Sequence, residues 1–194
     1  ESRGLGDVYK RQEFIVTGFR FSNLALGFNG EILENKITDN IFSDPERSTI
    51  GVAACDIDKD GIEEIYFLNT DTYSGMKRYS DRLLTNSQNV IEDLFEKEIN
   101  QSELNLTAGR SVVCVDREGN GNYGIYVANY GGPTRYYEFI DNRVVDLAAS
   151  LGLDKVTGGR AVVAGHILSD QIDVFAANES CLLYTSPSPR DSIR

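Results

Sequence analysis

The stretch Gly51-Val-Ala-Ala-Cys-Asp-Ile-Asp-Lys-Asp-Gly-Ile-Glu-Glu-Ile-Tyr-Phe-Leu-Asn69 contains two β-rich runs separated by an acidic loop. Val, Ile, Tyr and Phe fit the pleated, half-buried surface of a strand. The same succession occurs twice more. Gly109-Arg-Ser-Val-Val-Cys-Val-Asp116 and Gly159-Arg-Ala-Val-Val-Ala-Gly165 repeat the first run, and Gly124-Ile-Tyr-Val-Ala-Asn129 and Asp173-Val-Phe-Ala-Ala-Asn178 repeat the second. A recurring unit of this size is the mark of a repeat architecture.

The second half of each unit also recurs. Asn23-Leu-Ala-Leu-Gly-Phe28 turns at Asn29-Gly30 into Glu31-Ile-Leu-Glu34. Asp81 to Thr85 turns at Asn86 to Asn89 into Val90 to Leu94, and Arg135 to Ile140 turns at Asp141-Asn142 into Arg143 to Leu147. Asn, Asp and Gly tolerate the positive φ that tight hairpins demand. Each unit therefore reads as four antiparallel strands, and such units make the blades of a β-propeller. The fold expected is all-β: a partial propeller of four-stranded antiparallel blades. A β-helix has shorter turns, and an α/β fold needs helical stretches for which only Val90 to Glu98 and Val145 to Leu151 could serve.

The ends, residues 1–12 and 181–194, differ from what lies between them. One DNA segment that encodes Asp7 to Gln12 on one strand encodes Cys-Leu-Leu-Tyr-Thr-Ser, the sequence of Cys181 to Ser186, on the other. Both ends resemble translated sequencing adaptors, are expected not to be native, and are set aside. The interior is then expected to be part of a larger propeller. Residues 13–50 form the outer part of one blade, 51–108 a complete blade, 109–158 a second, and 159–180 the inner half of another.

The chemistry is concentrated in the first loop. Asp56, Asp58 and Asp60 alternate, Gly61 permits a sharp bend, and Glu64 follows at the ninth position. Carboxylates spaced in this way curl around a hard cation, and Ca²⁺ accepts 6–8 oxygens in a flexible cage. The ligands expected are the side chains of Asp56, Asp58, Asp60 and Glu64 with the backbone carbonyl of Ile62. Mg²⁺ keeps its waters and suits such a cage poorly. An EF-hand begins with the same letters, but its twelfth position requires a bidentate Glu and here holds Phe67. The second loop keeps oxygen side chains at Asp116, Glu118 and Asn120 but places Gly124 ninth and Arg117 second. It reads as a degenerate site, weak or metal-free. The third loop, Gly165 to Asp173, lacks the carboxylate series, and its His166 reads as a loop residue.

Other residues bear on the environment. Cys55 directly precedes Asp56 and Cys114 stands two residues before Asp116, in what read as equivalent positions of adjacent blades. Both a disulfide and two buried thiols remain open. Asn100-Gln-Ser102 and Asn105-Leu-Thr107 match the N-glycosylation pattern and are expected to lie on a surface stretch.

The strings IGVAACDIDKDGIEEIYFLNTDTYSG, AGRSVVCVDREGNGNYGIYVANYG and TGGRAVVAGHILS, beginning at Ile50, Ala108 and Thr157, resemble the cartilage acidic protein 1 family. The acidic loop itself resembles the FG-GAP or VCBS-type repeat of integrin-like propellers. The resemblance implies a secreted, calcium-binding, glycosylated extracellular-matrix protein with a propeller. Within it Asp56, Asp58, Asp60 and Glu64 match the calcium-loop positions.

Composition narrows the functions further. The 194 residues carry a formal charge of −11 and 41% hydrophobic residues, enough for a folded core and hostile to nucleic acid as a partner. No apolar run is long enough to span a membrane. With one His and no Ser-His-Asp set, the chain is not expected to be an enzyme. The function expected is a secreted, calcium-stabilised scaffold of the matrix or cell surface that binds a protein partner, such as a matrix component or receptor. The alternatives are an integrin-α-like adhesion receptor ectodomain and, further off, a propeller hydrolase or lyase.

Overall fold

The structure, a computed structural model, describes residues 13–37, 39–87, 90–168, 170–179 and 184–186. It is mostly β, in antiparallel sheets, and no sheet closes on itself among the described residues. Strands β1 (Glu13–Val16), β2 (Leu24–Phe28) and β3 (Leu33–Asn35) make a three-stranded sheet. The next sheet is a four-stranded meander of β4 (Thr49–Cys55), β5 (Glu64–Asn69), β6 (Arg82–Ser87) and β7 (Val90–Asp93). A second meander follows, with β8 (Gly109–Val115), β9 (Gly124–Pro133), β10 (Arg135–Ile140) and β11 (Arg143–Asp146). Strand β12 (Val156–Gly165) pairs with β13 (Asp173–Asn178), which also pairs with β14 (Tyr184–Ser186). The longer β9 and β12 meet through Val156↔Pro133 and Gly158↔Tyr130, so the last two groups share one sheet.

The hairpins form where the turn residues allow. Asp141 and Asn142 have φ of 50° and 61°, the pair of left-handed residues that joins β10 to β11 without splaying them. A short helix, α1 (Asn40–Ser43), has no counterpart in the strand pattern. Asp39 caps it by accepting the Ile41 N–H at 2.7 Å.

Successive side chains of a strand point to opposite faces, and here that alternation divides each strand between two cores. Tyr66 and Leu68 of β5 enter one cluster with Ile125, Val127 and Tyr137 of the next meander. Phe67, between them, packs with Ala25, Phe42 and Leu84 on the other side. In β9 the neighbours Tyr126 and Ala128 belong to a third cluster with Val162 and Ala176. Three apolar layers thus lie between four successive groups of strands. Burying a side chain of this size contributes roughly 1.5–3 kcal/mol.

An arginine–aspartate clamp repeats behind these layers. Arg82 donates to Asp93 at 2.9 Å, while Asp93 accepts the Leu83 and Phe95 N–H groups. Arg135 donates to Asp146 at 2.7 Å, while Asp146 accepts those of Tyr136 and Ala148. The final Asp of each outer strand thus serves both a charge partner and the backbone.

The stretch after β7 corrects the glycosylation expectation. It forms two 3₁₀ turns, Leu94–Glu96 and Glu98–Glu103, folded under the second meander. Asn100 is 1% exposed, and its carboxamide donates to Leu94 O and accepts the Val144 N–H. Asn105 is fully buried and joins Asp81, Asn129 and Thr107. Both side-chain nitrogens are donors inside this fold, so neither Asn lies on the surface stretch expected.

Candidate metal centre

Cys55 of β4 faces Glu64 of β5 across the ladder, so the hairpin closes the base of the acidic loop. The backbone then turns through left-handed conformations at Lys59 (φ 65°) and Gly61 (φ 87°). The loop is laced by its own carboxylates. Asp56 accepts the Gly61 N–H at 3.0 Å, Asp58 that of Asp60 at 3.1 Å, and Asp60 that of Ile62 at 2.8 Å. This leaves Asp56, Asp58 and Glu64 with one oxygen each within 4.8 Å of the others. Asp60 stands outside that group. Ile62 is 45% exposed, and its backbone carbonyl is the oxygen it could offer.

Two observations set this loop apart from a solvated acidic turn. Asp56 Oδ1 is buried and has no hydrogen-bond partner. Glu64 is fully buried, held by the Ile57 N–H at 3.1 Å and the Thr85 hydroxyl at 3.1 Å. Burial pushes the Glu64 carboxyl up to about 7, against the lowering effect of the Ile57 N–H. Burial likewise raises Asp58, and the charges of Asp60 and Asp56 act in the same direction. Uncompensated carboxylates so close together favour a proton or a cation.

The second loop has the same lacing and a different interior. Asp116 accepts the Asn120 and Gly121 N–H groups, and Asn120 accepts that of Asn122. Gly124 stands opposite Val115 where Glu64 stands opposite Cys55. A Cβ at Gly124 would collide with the Tyr136 hydroxyl, so the space of the ninth side chain is filled. Arg117 replaces the buried Ile57 and brings a cation of its own. Its Nε donates to Glu138 at 2.6 Å, and it pairs with Glu118 at 2.8 Å. Glu138 occupies the strand position that Thr85 holds in the first meander. In the third loop Asp173 accepts the Ile167 and Leu168 N–H groups, while His166 is exposed. Among the described residues only Asp56, Asp58 and Glu64 form a metal-sized group.

Cys55 and Cys114 are joined by a disulfide, with their Cα atoms 6.3 Å apart. Their positions are not equivalent, which corrects the sequence reading. Cys55 opposes Glu64, whereas it is Val115 that opposes Gly124, and Cys114 opposes Ile125. The offset of one residue is what permits the bond. Equivalent residues of stacked sheets face the same way, so one of the two would point from its partner. Cys55 and Cys114 instead meet in the layer between the meanders, and Val115 turns into the next.

Among the described residues no helix is long and apolar enough to cross a membrane. No family model matches the chain. The chain is 41% identical to cartilage acidic protein 1 of Homo sapiens and 41% identical to that of Mus musculus, and 38% identical to that of Xenopus tropicalis. Each match covers 87% of this chain. The chain spans 29%, 30% and 30% of those relatives, respectively, less than a third of their length.

Proposed function

We propose that this chain is part of a secreted, calcium-binding, non-enzymatic β-propeller of the extracellular matrix or cell surface, which serves as a scaffold for a protein partner. The observation that carries the reading is the buried, unpartnered Asp56 Oδ1 beside Asp58 and Glu64. A buried carboxylate oxygen without a partner is costly, and a divalent cation is the natural remedy. Asp56, Asp58 and Glu64 would hold it, with Asp60 and the Ile62 carbonyl as further oxygen donors from the same loop. When bound, the ion supplies positive charge that the loop lacks and so orders it.

Other features support the reading. Four-stranded meanders stacked through shared apolar layers are how propeller blades associate. A disulfide between two meanders suits an oxidising compartment. The name shared by the relatives places those proteins in cartilage. The decisive experiment is a calcium titration of the chain by calorimetry, with thermal melting in calcium and in chelator. A binding heat with a raised melting temperature is expected. No heat and identical melts would overturn the reading.

A further inference from the structure

The three repeated strands share an irregularity. The ladder shifts register between Thr49 and Gly51 in β4, between Gly109 and Ser111 in β8, and between Gly159 and Ala161 in β12. The residue left outside the ladder is Ile50 in the first, Arg110 in the second and Arg160 in the third. A bulge re-aims a side chain, and these two send guanidinium groups to one place. Arg110 lies 5.4 and 5.3 Å from the ring centres of Tyr73 and Tyr130, and Arg160 lies 5.7 and 4.9 Å from the same rings. The two rings meet edge-on at 5.3 Å. This cluster sits at the bulges of β8 and β12, away from the ends of those strands that lead into the loops.

The cluster is built and held in place. Tyr130 O accepts the Gly75 N–H at 2.9 Å, Gly75 O accepts that of Ala108 at 2.8 Å, and Ala108 O accepts that of Tyr130 at 2.8 Å. Gly131, at φ 78°, leaves no room for a Cβ against Ser74, which keeps the Tyr73 loop close. Arg110 donates to Gly109 O at 2.8 Å and to the Tyr73 carbonyl. Burial and the charge of Arg160 lower its pKa. Tyr73 is nonetheless 65% exposed, so the group faces outward.

The cluster already receives one carboxylate. Glu179 accepts from Arg160 Nη2 at 2.7 Å and from the Tyr130 hydroxyl. Arg110 has no ion pair among the described residues. We propose that Arg110, Arg160, Tyr73 and Tyr130 form the docking site for an Asp/Glu-rich segment of a protein partner, whose carboxylate pairs with Arg110 while its flanking chain lies against the tyrosines. Tyr and Arg are the side chains that dominate binding hot spots. On a molecule of charge −11, long polyanions are repelled by the whole surface. A short acidic segment meets only the cluster. This inference rests on the scaffold reading and names the chemistry of the partner.

The test uses the whole chain and a fluorescein-labelled peptide of five Glu-Gly repeats, with a Gln-Gly peptide as control, read by anisotropy at about 50 mM salt to limit screening. The Glu peptide is expected to bind and the Gln peptide not to. Arg110→Gln should weaken binding about tenfold or more. Glu179→Gln should strengthen it several-fold by removing the internal competitor, and Arg143→Gln on β11 should change nothing. Failure of the Glu peptide to bind, equal binding to Arg110→Gln, or preferential binding of a heparin octasaccharide would overturn the proposal. Peptide binding with a silent calcium titration would leave this site standing and sink the metal reading. A calcium response without peptide binding would do the reverse.

Discussion

Cys55 is bonded to Cys114, a residue one step out of register with it, and Cys55 is the immediate neighbour of Asp56. The covalent link between the two meanders therefore ends at the first carboxylate of the acidic loop. The bridge closes a separation of 59 residues, for which chain entropy suggests about 4 kcal/mol. Replacing both cysteines by serine should lower stability in denaturant by roughly 2–5 kcal/mol. Calcium affinity should fall as well, because Asp56 loses its anchored neighbour. Unchanged affinity in calorimetry would separate the bridge from the loop.

The carboxylates of the two loops should respond differently to deletion. Asp58→Ala removes a member of the close triad and should weaken calcium binding at least about tenfold. Asp116→Ala removes the acceptor of two N–H groups and should cost about 1–2 kcal/mol of stability while leaving calcium binding nearly intact. Equal effects on the titration would overturn the ranking of the loops.

The pH dependence follows from Glu64. Its folded carboxyl is raised to about 7 from an ordinary 4.5. An acid raised on folding binds more protons in the folded state, so its contribution favours the metal-free fold below pH 4.5 and is lost as pH rises through 7. A cation bound there competes with that proton. Calcium affinity should be about tenfold weaker at pH 6 than at pH 8, and Glu64→Gln should flatten the profile while weakening binding. A flat profile in the unsubstituted chain would show that Glu64 is not a ligand.

Much of this was legible in the residues. The three GxxVV-like runs and their Asn-terminated partners became β4, β5, β8, β9, β12 and β13, because a short continuous apolar run gives a strand two faces to bury. The Asp141-Asn142 turn was legible because few other residues accept positive φ. What stayed hidden depends on partners distant in sequence. The burial of Asn100 is decided by the Val144 N–H, 44 residues away. The cysteine offset stands in the residues, Cys55 directly before Asp56 and Cys114 one place further from Asp116, but that it lets the two bond emerges only when the ladders are stacked. Arg117 was visible as an intruder in its loop, but its partner Glu138 emerges only when β10 is laid beside β9.

Two adjacent basic residues give a stability test. Lys77 is fully buried, donating to Asp81 and, at 2.9 Å, to Asn69 O. Asp81 also accepts from Tyr66 and Asn105, and Asn105 bonds Asn129 of β9, which ties the first meander to the second. Lys77→Ala removes the cation paired with that buried carboxylate and should cost about 3–5 kcal/mol in urea unfolding. The Arg78 side chain is 74% exposed, and Arg78→Ala should stay within about 0.5 kcal/mol. Similar losses for both would refute the buried network as a source of stability.

Because each of the three apolar layers is shared between one group of strands and the next, no repeat owns its interior. Cutting the gene between repeats would bare a sticky greasy wall on both pieces. Excised single units should clump in the test tube, and natural length variants should gain or lose material in the loops at the strand ends, where the wall is not breached.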